Sequence, residues 1–351
     1  MDERNHDLLT IKLLLGFIVA VIVVYILKLL SSLFIPLTVA MLLYFLFNNT
    51  VKKLTALKLP TSLVLIFLLI FIFVLLYLFG LLVYTGASSF VSEFPQYSQR
   101  ITQLVNSTLV RLKIPLKDVE TFIAEIDWRR ALNSAQITTI VTSTLGPFTS
   151  FMGNLVLVLL YLLFMLGGRK ELSARIRASA RINEMQKEKL ISTVNSIESK
   201  IQNYLRIKTL VSIATAFLGG LILYLGDFDF IIFSALLIFV LNYIPNFGSI
   251  AATIFPVTLG MIKFGISPRV ILVAGALMAV QFLMGNVIEP IWTGRSLRLS
   301  PILILISLIF WGWVWGIIGM MLAVPMMSAL KIICEQFSSL RTVALFMGSE
   351  E

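Results

Sequence analysis

The feature that most constrains this chain is how far it runs without a charged side chain. Residues 230–262 and 299–330 contain no Asp, Glu, Lys or Arg, and they are 33 and 32 residues long. Six other runs share that character: 13–27, 29–51, 59–92 with its apolar block 63–84, 131–168 with its apolar half 148–166, 209–226 and 270–288. A helix that crosses a bilayer needs about 20 mainly apolar residues. The first run is short, but Leu8, Leu9 and Ile11 extend it, and Lys12 and Lys28 can reach the interface by snorkelling. Composition agrees. Hydrophobic residues make up 58% of the chain and charged residues 13%, about half the charge that covers a soluble domain. A soluble enzyme, a disordered chain and a fibrous repeat are therefore excluded. The expected fold is all-α: a polytopic integral membrane protein of about eight membrane segments.

The 230–262 and 299–330 runs are too long to fit as single spans. At about 1.5 Å per residue each would reach nearly 50 Å, against a hydrocarbon core of about 30 Å. Each carries breakers. The first holds Asn242-Tyr-Ile-Pro-Asn-Phe-Gly-Ser249 and then Pro256; the second holds Trp311-Gly-Trp-Val-Trp-Gly316, Gly319 and Pro325. The expectation is a bent helix or re-entrant helical hairpin in each, with Pro256, Gly294, Gly312, Gly316, Gly319 and Pro325 as structural breaks. Irregular backbone at membrane depth is tolerated only inside protein or beside water, and paired broken segments point to a transporter site.

Charge sets the orientation. The chain has 28 Lys and Arg against 18 Asp and Glu. Lys52, Lys53 and Lys58 follow the second run, ten basic residues against four acids fill 169–208, and Lys331 and Arg341 follow the last run. Basic loops mark the cytoplasmic side, so both termini are placed in the cytoplasm. The 85–147 segment, with six basic and five acidic residues, is then outside. The organisation reads as N-terminal membrane helices over 1–84, an extracytoplasmic amphipathic insert over 85–147 and a membrane helix over 148–168. A basic cytoplasmic helical segment over 169–208, a transport core over 209–333 and a cytoplasmic tail over 334–351 follow. In the insert, Ile101, Leu104, Val105, Leu109 and Leu112, then Val119, Phe122, Ile123 and Ile126, recur at helical spacing. Asp227 and Asp229 are placed at the outer surface, and Lys263 and Arg269 in a cytoplasmic loop. Asp2, Glu3 and Asp7 spoil a signal peptide, so the first segment is read as a retained anchor.

Little catalytic chemistry is on offer. One histidine, His6, and one cysteine, Cys334, leave no zinc site, disulfide or histidine-based triad. No cofactor motif occurs, and no GxxxxGK[ST] string for an ATPase. The basic segment has only Tyr204 to stack a base, so nucleic acid is not an expected partner; the bilayer is.

The polar residues of the C-terminal half remain. Gln281, Gly285 and Glu289 are four apart on one helical face, with Asn286 and Pro290 beside them. A carboxylate near the end of a spanning helix must be paired, protonated or hydrated. Glu289 is suited to coordinating a cation, carrying a proton, or pairing with Arg295 or Arg298. Asn242, Asn246 and Ser249 cluster around Pro245, where Gly248 permits a sharp turn. These ten, Asn242, Pro245, Asn246, Gly248, Ser249, Gln281, Gly285, Asn286, Glu289 and Pro290, form the expected substrate or ion pathway. Trp311, Trp313 and Trp315 make either a stacking wall or an interfacial belt.

Two strings carry a family resemblance. LNYIPNFGSIAATIFPVTLGMI and GNVIEPIWTGRSLRLSPILILISLIFWGWVWGIIGMMLAVPMMSALKII resemble motifs of the autoinducer-2 exporter family, also catalogued as PerM-like permeases. The matching positions are Pro245, Gly248, Gly285, Asn286, Glu289, Pro290, Gly294, Ser300, Pro301, Trp311, Gly312, Gly316, Gly319 and Pro325. Asn246 and Ser249 depart from it, where many members carry an aromatic residue and a proline. The resemblance implies a secondary transporter of a bacterial inner membrane that exports a small polar solute such as autoinducer-2, a quorum-sensing signal, using a proton or sodium gradient. It also implies homo-oligomers, pentamers among them. A sodium(lithium)/proton antiporter is the alternative within the class. A membrane structural or partner-binding protein is the alternative outside it, and an enzyme is not expected.

Overall fold

The structure is a computed structural model of the chain. It describes residues 2–57, 60–111, 153–168, 183–245, 247–293, 299–336 and 340–348, with 174, 177 and 178. Its helices are α1 (Asp2–Leu29), α2 (Ser31–Ala56), α3 (Thr61–Arg111), α4 (Gly153–Gly168), α5 (Glu184–Leu225), α6 (Ile231–Leu241), α7 (Phe247–Phe264) and α8 (Pro268–Phe282). A π turn (Leu283–Ile288) joins α8 to α9 (Glu289–Thr293), and α10 (Pro301–Gln336) and α11 (Arg341–Met347) follow. Among the described residues the one β pairing is an isolated bridge, Leu299 with Gly348. Among the described residues six helices are long and apolar enough to cross a membrane. The chain is an all-α, multi-pass membrane protein.

Helix α3 continues unbroken through residue 85 to Arg111, so the expected insert begins as the end of a membrane helix. The second half of that insert, including Val119 to Ile126, lies outside the described residues, as do Asn246, Gly294, Arg295 and Arg298.

Chain contacts divide the molecule into two compact units. One comprises Met1–Leu65, Val156–Gln202 and Leu297–Glu351; the other comprises Ile66–Leu155 and Asn203–Ser296.

In the first unit, the 301–336 run is a helical hairpin. Trp315 (φ −128°, ψ 15°) and Gly316 (φ 64°, ψ −145°) leave the helical region and separate two arms. The Ser307 hydroxyl donates to the carbonyl of Ala323 at 3.3 Å. A straight helix would hold residues so spaced about 24 Å apart, so the chain has turned back on itself. The arms approach to backbone contact: a Cβ on Gly319 would lie 1.9 Å from the carbonyl oxygen of Trp311. Small residues let backbones approach where lipid gives helices no hydrophobic reason to associate. The turn packs on the α1–α2 corner. Val314, Trp315 and Leu322 meet Leu27, Phe34 and Ile35. The indole N–H of Trp315 donates to the Leu27 carbonyl at 3.0 Å, and the Lys28 ammonium sits 3.9 Å from the Trp313 ring. Near the base of this hairpin, Cys334, Ala344 and Met347 bury α11 against Leu303 and Met327. Between α2 and α5, the Asn48 amide donates to the Glu198 carboxylate, which also pairs with Lys52 at 3.3 Å.

In the second unit, the 230–264 run is also a hairpin. Helix α6 has 11 residues, about 16 Å, half of the hydrocarbon core. The chain turns at Asn242–Pro245 and returns as α7. Pro245 has no N–H to extend α6, and a Cβ on Gly248 would lie 1.7 Å from the Leu241 carbonyl oxygen, which only glycine allows. Pro256 and Pro325 were expected to be breaks. Both lie inside continuous helices, and the chain turns at 242–245 and 315–316 instead. A proline removes one intrahelical hydrogen bond but reverses the chain only where neighbouring residues also leave helical φ/ψ. Aromatic pairs line α3 against this hairpin, Phe79 on Phe239 and Phe90 on both Phe230 and Phe255. The unit's core is Leu223, Phe228, Ile238, Ala252, Val270, Val273 and Leu277.

The hairpin corrects one expectation about sides. Lys263 and Arg269 were placed in the cytoplasm and Asp227 and Asp229 outside. Yet the Lys263 ammonium lies 2.6 Å from the Asp229 carboxylate and donates to the Asp227 carbonyl at 2.8 Å, with Arg269 3.7 Å from the Asp227 carboxylate. A run that folds back returns its end to the side it left, so all four charges share one end. The Tyr97 hydroxyl from α3 completes the cluster by donating to Asp229. Burial pushes the Asp229 carboxyl up, but the hydrogen bonds from Lys263 and Tyr97 outweigh it and hold it below the usual range. Burial and the Asp229 bond together push the Tyr97 phenol well up.

Candidate functional site

The turn of the α6–α7 hairpin, the π turn and the middle of α5 meet around a polar cavity of about 110 Å³. Its lining is Lys208, Asn242, Ile244, Pro245, Ser249, Gln281, Gly285, Asn286 and Glu289. Seven of the ten pathway residues read from the sequence are therefore brought together. Gly248 is buried in the turn and does not face the cavity, Pro290 lies just beyond the lining, and Asn246 lies outside the described residues.

Each wall has a local cause. Pro290 follows Glu289, and its ring collides with the carbonyl four residues back in a regular helix. The chain widens instead into a π turn, where the N–H of Glu289 donates to the Met284 carbonyl five residues back. Such turns recur at functional sites. Pro290, the next residue, has no N–H to continue the pattern. On the other wall the Asn242 amide donates to the Ser212 hydroxyl at 3.0 Å, and the Tyr243 hydroxyl sits 2.8 Å from that of Thr209. These two bonds pin the broken turn to α5.

The strongest interaction is an ion pair. The Lys208 ammonium lies 2.8 Å from each oxygen of the Glu289 carboxylate. The lysine side chain is 5% exposed and the glutamate 19%. Burying two charges costs several kcal/mol each after relaxation, and close pairing offsets it. The partner is Lys208, a residue placed by sequence at the end of the basic cytoplasmic segment. A signal for it was present. Tyr204, Lys208, Ser212 and Thr215 recur every three or four residues and are all buried, a polar stripe along one face of an apolar helix. One atom of the lining has no partner: the side-chain oxygen of Gln281 is buried and accepts no hydrogen bond.

A second, apolar cavity of about 330 Å³ adjoins the first and shares Ser249, Gln281 and Asn286 with it. Ile250, Thr253, Ile254, Val257, Met278 and Phe282 complete its lining. Of the three tryptophans near residue 313, Trp311 and Trp315 pack with ring centres 5.0 Å apart, and Trp315 is buried while Trp313 is exposed. Among the described residues no group of three or more His, Cys, Asp or Glu comes together as a metal site.

A broken hairpin, a π turn and a buried ion pair around a polar cavity, in a multi-pass helical chain, define a membrane transporter. Comparison with known proteins gives the family. The profile of the AI-2E family transporters matches residues 14–339, and the chain belongs to that family. A Borreliella burgdorferi protein named for transport is 31% identical over 92% of this chain and 87% of its own length. The AI-2 transport protein TqsA of Escherichia coli K12 is 29% identical over 97% and 96%.

Proposed function

We propose that the protein is a secondary transporter that exports a small polar solute through the cavity between α5, the α6–α7 turn and the π turn, driven by an ion gradient. The observation that carries this is the cavity itself. It is polar, it sits on irregular backbone, and a hairpin arm of about 16 Å sets it at membrane depth. Autoinducer-2 is the first solute to test, because a relative similar over nearly its whole length is named for it. The Lys208–Glu289 pair is the coupling element. A proton or sodium ion that takes the place of Lys208 on Glu289 frees the lysine and releases the tie between α5 and the start of α9. The same pair favours the antiporter reading, in which ion exchange alone occurs.

The chain is placed in a bacterial inner membrane with both termini in the cytoplasm. Both hairpins return to the side they leave, so the remaining crossings, α1 to α5 and the α8–α9 span, are even in number. Homo-oligomers remain part of the proposal.

Proteoliposomes loaded with autoinducer-2 under an imposed pH or sodium gradient test this. Gradient-dependent release that Glu289→Gln and Lys208→Met abolish is expected. Ion exchange without solute movement establishes the antiporter. Release that survives both substitutions refutes the site.

A further inference from the structure

We propose that the site takes a small zwitterion with an apolar side chain, of the chemical class of the aliphatic α-amino acids. This rests on reading the cavity as the solute site, and it names the chemistry that the two cavities together select.

The polar cavity carries one full positive and one full negative charge, Lys208 and Glu289, which satisfy each other at 2.8 Å. An anion or a cation alone satisfies one of them and strands the other in a buried place, which is strongly unfavourable. A zwitterion satisfies both. Its carboxylate takes the Lys208 ammonium, and its ammonium takes the Glu289 carboxylate.

An ammonium has three N–H donors, and the lining holds acceptors for more than one. The Gln281 side-chain oxygen is buried and without a donor, on a residue only 9% exposed. A buried acceptor left unpaired is costly, and a ligand N–H removes that cost. An unpaired acceptor in the same lining as the carboxylate favours a ligand that donates there.

The apolar cavity decides the rest of the ligand. It meets the polar one at Ser249, Gln281 and Asn286 and is an open groove lined beyond them by Ile250, Thr253, Ile254, Val257, Met278 and Phe282, with Ile250, Ile254, Met278 and Phe282 on its exposed rim. A purely polar solute leaves this surface unused. An aliphatic side chain of four carbons fits within about 330 Å³ and leaves water for apolar surface there. The head group and side chain of one amino acid thus match two cavities joined at three residues.

The test is counterflow with the wild-type protein in proteoliposomes, loaded with unlabelled leucine and given external labelled leucine, beside autoinducer-2 release from the same preparation. Expected is accumulation of label at least tenfold over empty liposomes. Excess leucine should compete. Glycine, which lacks the side chain, 4-methylpentanoate, which lacks the ammonium, and isoamylamine, which lacks the carboxylate, should compete at least tenfold more weakly. Val257→Trp, which fills the apolar cavity, should lower leucine counterflow while alanine counterflow persists, showing that the protein still folds. Autoinducer-2 release without leucine counterflow overturns this inference and leaves the proposed function standing. Equal competition by all three truncated compounds also overturns it. Movement of neither solute overturns both.

Discussion

The hairpin of α6 and α7 ends in Asn242, Tyr243 and Pro245, and that of α10 ends in Trp313, Val314, Trp315 and Gly316. Both depend on a glycine whose Cβ would strike a carbonyl oxygen of the opposite arm, Gly248 on Leu241 and Gly319 on Trp311. The turns then diverge. The first pins itself to α5 through side-chain hydrogen bonds and lines a polar cavity. The second packs aromatic rings into the α1–α2 corner and ties its indole to a backbone carbonyl. One construction, a hairpin closed at a glycine, lines a polar cavity in one unit and packs as an anchor in the other. Closure of the backbone and chemistry of the turn are separate choices.

The comparison can be broken at its shared element first. Gly248→Ala and Gly319→Ala should each abolish folded, detergent-stable protein, because the colliding atom is backbone and cannot rotate away. The cost exceeds the roughly 1–3 kcal/mol of ordinary overpacking, and size-exclusion profiles check it. Next, Lys208→Met strands a buried carboxylate and should destabilise by about 3–5 kcal/mol, whereas Lys208→Met combined with Glu289→Gln should recover most of that. Chemical denaturation in detergent distinguishes the two. Gly316→Ala has open space for its Cβ but keeps φ at 64°, so a smaller loss of about 1–3 kcal/mol is expected from backbone strain. Trp315→Phe, which removes the bond to Leu27, should cost about 1 kcal/mol and leave solute flux intact, while Asn242→Ala should lower flux sharply.

The smallest effect concerns pH at the hairpin base. The Asp229 carboxyl is held below its usual range, so its contribution is present above about pH 4 and is lost as pH falls through its depressed value. The Tyr97 phenol is raised, so its contribution is present below about pH 10 and is lost as pH rises toward the raised value. Hydrogen exchange at residues 226–230 should therefore be slowest between those limits and quicken on both sides. In Asp229→Asn the acid limb should vanish.

The class of fold was legible because lipid demands long charge-free helices, and the two overlong runs announced their own breaks. The turn positions were harder to read. Pro256 and Pro325 look like the strongest breakers, yet the turns fall at Pro245 and Gly316, where close backbone approach decides. The cavity was largely legible at Asn242, Ser249, Gln281, Asn286 and Glu289, since polar residues in apolar runs need a reason. Lys208 was missed because a lysine next to a basic segment reads as solvated; only the Tyr204–Lys208–Ser212–Thr215 stripe marks it as buried. Lys263 was read as lying on the side opposite Asp227 because a charge-free run of 33 residues counts as one crossing until it is seen to fold back.

Thiol accessibility at the two hairpins tests the central claim most directly. Cys334 is the only native cysteine and is buried, so Cys334→Ala provides the background. Ser249→Cys lines the cavity and Ser307→Cys lies between the arms of the other hairpin. In proteoliposomes, a charged, water-borne thiol reagent should modify Ser249→Cys, with at least a fivefold slowing by autoinducer-2 or by leucine, and should leave Ser307→Cys untouched. Equal reactivity at both positions, or modification of Ser249→Cys that neither solute slows, would contradict a solute site built on the first hairpin alone.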